Sequence, residues 1–155
     1  MTDQSLTIRE STPADDDAIA QHLHHLMVEL GSSAQAMAPD WLNKTRIFIE
    51  KVRQDLQYQG FIAEINGQVV GSVSCQILEL YPILNPEYTK GYIWGLYVTP
   101  SHRRQNVATR LMDAAQRYLK SIGCTRAILH ASETGKLVYK RLGYGDSNEM
   151  ALDLS

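Results

Sequence analysis

Residues 92–112 read Tyr92-Ile93-Trp94-Gly95-Leu96-Tyr97-Val98-Thr99-Pro100-Ser101-His102-Arg103-Arg104-Gln105-Asn106-Val107-Ala108-Thr109-Arg110-Leu111-Met112. The run from Tyr92 to Val98 is almost continuously apolar, which predicts a central strand buried on both faces. Ala108, Leu111, Met112, Ala115, Leu119 and Ile122 then recur at helical spacing, and Gly123 ends the helix. A basic turn separates the two. The first turn of a helix holds backbone N–H groups without intrahelical partners, and its dipole adds roughly half a positive charge there. Arg103 and Arg104 bring whole charges to the same spot, so the junction suits a phosphate or pyrophosphate.

Working outward, Ala127 to Ala131 reads as a strand, and a strand–helix–strand unit of this length implies parallel neighbours joined by a right-handed crossover. Upstream, Phe61 to Ile65 and Gln68 to Val73 flank Asn66-Gly67, a strong hairpin signal, with the second strand expected to reach Leu78. Residues 79–90 contain Pro82 and Pro86 and are expected to be a loop. Leu6 to Arg9 predicts a first strand. A helix starting at Ser11-Thr12-Pro13 presents Ile19, Leu23, Leu26, Met27 and Leu30, and a second presents Trp41, Thr45, Phe48, Val52 and Leu56. Trp41 and Phe48 are expected in the core. A short helix from about Glu133 to Leu142 precedes Gly143, and the alternation of residues 149–154 predicts a last strand. The expectation is a single mixed α/β domain spanning residues 1–155.

Composition narrows the function. The chain has 155 residues and a net charge of −2, which argues against a protein that coats nucleic acid. The 2 cysteines, Cys75 and Cys124, are far apart and fit a reducing compartment better than a disulfide framework. The N-terminus lacks a signal-peptide pattern and no stretch is apolar enough to span a bilayer, so a cytoplasmic location is expected. His22, His24 and His25 include no i,i+4 pair and have no cysteine nearby; no metal site is expected.

The segment Arg103-Arg104-Gln105-Asn106-Val107-Ala108, after the strand end Leu96-Tyr97-Val98, resembles the central motif of the GCN5-related N-acetyltransferase (GNAT) family, R/Q-x-x-G-x-G/A. A second family signature, a helix with a tyrosine followed by a glycine and an aromatic residue, is matched by Leu137-Val138-Tyr139-Lys140-Arg141-Leu142-Gly143-Tyr144. The resemblance covers essentially the whole chain. It implies a mostly antiparallel twisted sheet of about six to seven strands with roughly four helices, splayed at a central parallel pair. Asn106 stands where the family usually has its first glycine; asparagine is the non-glycine residue best able to turn left-handed there. Ser132 replaces an asparagine that contacts the cofactor in many members, and either keeps one such hydrogen bond or caps the fourth helix.

What the resemblance implies is transfer of an acetyl group from acetyl-coenzyme A to a primary amine of a small molecule or peptide, by direct attack in a ternary complex. The pyrophosphate would lie against the amides of Arg104, Gln105, Asn106, Val107, Ala108 and Thr109, with Arg103 beside them. The thioester would sit near Leu96, Tyr97 and Val98, where a backbone N–H stabilises an oxyanion for about 3–4 kcal/mol. Tyr139 holds the position of the family's general acid. No strand carboxylate marks a base; His130, Glu133, Glu29 and a water remain open, and His130 reads first as a strand residue with a local hydrogen bond. Rival readings are a non-catalytic acyl-CoA-binding regulatory module and an acetyltransferase of aminoacyl-tRNA, the latter disfavoured by the net charge. Edge strands in such folds pair between subunits, so a homodimer is compatible with the sequence.

Overall fold

Strand patterning and turn chemistry account for most of the architecture. The computed structural model describes residues 5–81, 83 and 88–154. Its sheet has the order β1 (Leu6–Glu10), β2 (Gln59–Ile65), β3 (Gln68–Ile77), β4 (Lys90–Val98), β5 (Arg126–Ile128). The first four strands are antiparallel neighbours, and β4 and β5 run parallel. The β2–β3 turn has Asn66 at φ 52 and Gly67 at φ 76, the two positive angles that a type I′ hairpin requires. Among the described residues four α-helices, α1 (Asp16–Glu29), α2 (Trp41–Asp55), α3 (Val107–Ser121) and α4 (Lys136–Arg141), complete the fold.

Side-chain alternation divides the core. Phe61, Ala63 and Ile65 of β2, with Val73 and Cys75 of β3, pack against Val107, Leu111, Met112, Ala115 and Leu119 of α3. Ile62 points the other way and joins Ile19 of α1, Ile49 and Val52 of α2, and Tyr58. On that second face β3 presents Ser72, Ser74 and Gln76, all buried. Burying such groups is tolerable only when each has a partner. Ser72 Oγ bonds His22 Nδ1 at 2.7 Å, Ser74 Oγ bonds the Tyr58 hydroxyl at 2.9 Å, and Gln76 Oε1 accepts from Trp94 Nε1 at 3.0 Å. This polar stripe pins α1 and the Trp94 ring to the sheet. Gly71 serves the opposite face: a Cβ there would lie 2.7 Å from the Tyr97 carbonyl oxygen and 3.3 Å from Leu111 Cδ1, so only glycine lets the start of α3 settle on the strands.

Two expectations are corrected. The described residues form five strands, below the anticipated count, because residues 149–154 are not a strand. Alternation confers strand character only when a neighbouring edge supplies hydrogen bonds; here Met150, Leu152 and Leu154 stand 94%, 82% and 91% exposed. The last helix and β5 are also shorter than their apolar patterns suggest. Pro82 and Pro86 of the anticipated loop lie outside the described residues. No helix among the described residues is long and apolar enough to cross a membrane.

Candidate active site

The parallel pair opens almost at once. β4 and β5 share a ladder only from Lys90 opposite Arg126 to Tyr92 opposite Ile128. On its other side β4 carries a bulge: Ser72 faces Tyr97 and Ser74 faces Trp94, so Gly95 and Leu96 together oppose Val73. Gly95 has φ +68, the left-handed first residue of a glycine-type bulge. Such a bulge takes local backbone groups out of the ladder and turns them into the opening between β4 and β5.

Past the opening, the chain turns into α3. Arg104 and Asn106 both adopt left-handed angles, φ 61 and φ 67, so Asn106 turns as a glycine would. Successive amides in such a turn point to one side as an anion-binding concavity. No amide from residues 104–109 donates to another group among the described residues; the first bond of the helix is Arg110 N–H to the Asn106 carbonyl at 3.2 Å. The two arginines part company here. Arg103 donates to both carboxylate oxygens of Glu29 at 2.8 and 2.9 Å and to the Val98 carbonyl at 2.9 Å, with its guanidinium over the Tyr97 ring. Arg104 is exposed and has no side-chain partner among the described residues. Arg103 is therefore a strut joining α1 to the strand end, and Arg104 is the cation left facing solvent at the turn.

Beyond the bulge lies a cavity of about 700 Å³ between α1, α2 and the β4–β5 opening. Leu23, Leu26 and Met27 of α1, Trp41 and Phe48 of α2, and Trp94 of β4 form its apolar walls, and Gly95, Ala131 and Ser132 line its inner end. Trp41 and Phe48 are thus cavity walls and not core; Phe48 is 43% exposed. At the inner end His130 Nδ1 meets the Tyr92 hydroxyl at 3.0 Å, and its Nε2 lies 3.3 Å from Glu149 Oε1. Burial, and then the charge of Glu149, raise the Tyr92 hydroxyl above its ordinary range.

Tyr139 lies across β5 from this cavity. It lines a second one of about 670 Å³ with Tyr144 and Lys136, and the two cavities share His130 and Ala131. Its ring sits edge-on to Tyr144, 5.9 Å between centroids, and burial raises its hydroxyl above the usual tyrosine range. Ser132 Oγ accepts the Gly135 N–H at 3.1 Å in the turn that leads into α4, while Ser132 also lines the larger cavity; the N-cap position of α4 itself is Gly135. Among the described residues no group of three or more His, Cys, Asp or Glu side chains is placed to hold a metal.

Sequence reasoning missed the cavity because Leu23, Leu26, Trp41 and Phe48 sit at core spacing on their helices. The available signal was length: the apolar face of α1 runs on past Ile19, and that of α2 begins two turns before Ile49 and Val52, the residues clustered with Ile62 of the sheet.

A sheet opened at its parallel pair, with free amides at the head of the next helix, places the chain in the acyltransferase class. A family model described as the acetyltransferase (GNAT) family matches residues 19–144, and the chain belongs to that family. No curated protein is similar enough in sequence to count as a relative. Among solved structures, a GCN5-related N-acetyltransferase from Ralstonia eutropha JMP134 superposes with a TM-score of 0.84 at 24% identity, covering 97% of this chain and 99% of that one. A predicted acetyltransferase from Clostridium acetobutylicum, determined with acetyl-CoA, gives 0.83 at 25% identity, covering 97% and 96%. The glucosamine-6-phosphate N-acetyltransferase of Arabidopsis thaliana gives 0.70 at 18% identity over 98% and 100%, a likeness of fold alone.

Proposed function

We propose that this chain moves the acetyl group of acetyl-CoA to a primary amine by direct attack in a ternary complex, residues 1–155 acting as one domain. The observation that carries this reading is the row of unengaged amides at residues 104–109, set at the end of a strand pair that opens into a cavity. The amides of Arg104, Gln105, Asn106, Val107, Ala108 and Thr109 hold the pyrophosphate, and the Arg104 guanidinium adds charge. The open edge of β4 at Leu96, Tyr97 and Val98 pairs with the pantetheine amides as an added strand would. Acetyl-CoA supplies the activated acetyl group, and the bulge at Gly95 and Leu96 orients an N–H toward its carbonyl oxygen. Tyr139, a phenol protonated at neutral pH in any case, donates to the departing thiolate from the His130–Ala131 side. The likeness to the Clostridium acetobutylicum structure with acetyl-CoA supports the choice of donor.

Thiol release measured with acetyl-CoA and an amine panel tests the reading. Amine-dependent release is expected. Heat of acetyl-CoA binding without release under any amine would make the protein an acyl-CoA binder and refute catalysis.

A further inference from the structure

The walls of the larger cavity narrow the acceptor, an inference that rests on the acetyl-transfer reading above. At about 700 Å³ the space exceeds what a thioester end requires and is of the size that takes a small molecule. Its sides are leucine, methionine, phenylalanine and tryptophan, with both Trp41 and Trp94 presenting ring surface. Among the described residues that line it there is no carboxylate, and Lys44 is the one lysine or arginine. Lys44 is exposed at the mouth, with no side-chain partner among the described residues.

Two consequences follow from charge. A second ammonium on the acceptor would be desolvated with no carboxylate among the described lining residues to pair with, and Lys44 would repel it. A single ammonium entering an apolar site sheds its proton more readily, because burial disfavours the charged form. The lack of a wall carboxylate is then no obstacle to forming the neutral nucleophile.

We propose that the acceptor is a monoamine carried on an aromatic or branched apolar body, and that the cavity rejects polyamines and aminosugars. The test is thiol release at saturating acetyl-CoA with 2-phenylethylamine, isopentylamine, spermidine and glucosamine. The apolar monoamines are expected to show kcat/KM about 100-fold above the other pair. Lys44→Glu, on an exposed position of α2, is expected to raise the ratio of kcat/KM for 1,5-diaminopentane over pentylamine about tenfold. A preference for spermidine or glucosamine overturns the proposal and leaves acetyl transfer standing, and so does an unchanged diamine ratio in the variant. Failure of every amine, with acetyl-CoA shown to bind by calorimetry, overturns the transferase reading and this proposal with it.

Discussion

Acid should loosen α1 from the sheet through one residue, His22. Its ring is buried, bonded through Nδ1 to Ser72 Oγ at 2.7 Å and tilted against Tyr97 at 5.0 Å between centroids. Burial first, and then the neighbouring His25, lower its pKa from 6.5 to about 4. The unfolded chain takes up this proton near pH 6.5, whereas the folded protein resists it until about pH 4. The stability contribution is therefore intact above pH 6.5 and lost progressively as pH falls toward 4. Between pH 7 and pH 5 the loss is about 2 kcal/mol, which in urea moves the unfolding midpoint by about 1 M for a typical dependence on denaturant. Urea titrations of the wild type and of His22→Gln at these pH values measure it. The carboxylates that arginines hold below their normal range, Asp15 among them, contribute equally to both proteins. The wild type should lose about 2 kcal/mol more than the variant. Parallel losses would show that His22 is protonated as easily folded as unfolded, and would refute the argument.

Other consequences concern the site. Tyr139→Phe should slow thiol release about 10²–10⁴-fold with acetyl-CoA affinity retained, as calorimetry on the same variant would show. Asn106→Gly should bind acetyl-CoA like the wild type, while Asn106→Val, forced to φ 67, should weaken binding by roughly 1–2 kcal/mol. Arg104→Ala should weaken acetyl-CoA more than Arg103→Ala and flatten its salt dependence, because Arg103 is already held by Glu29. Equal losses from both arginines would contradict that division. Leu111→Ala, at a position with 0% exposure under α3, should cost about 2–5 kcal/mol in a denaturant titration.

The elements were legible in the sequence wherever a local signal matched its surroundings. Asn66-Gly67 forces its hairpin from within, and the α3 stripe needs only the sheet that it covers. Residues 149–154 failed because a strand is completed by its neighbour, and period alone names no neighbour. The candidate site divided the same way. The left-handed turn at Asn106 follows from the residue itself. That Arg103 is bound to Glu29, 74 residues away in sequence, depends on how α1 crosses β4, which no local pattern encodes. Trp41 and Phe48 have the spacing of core residues; only the gap between α1 and α2 makes them walls.

Amide chemical shifts during a titration with coenzyme A test the central claim most directly, since the claim concerns particular N–H groups. The largest changes are expected at residues 104–109, with a second set at Gly95 and Leu96 that desulfo or truncated nucleotide analogues fail to produce in full. Binding that leaves the amides of 104–109 unmoved would place the diphosphate elsewhere and contradict the account.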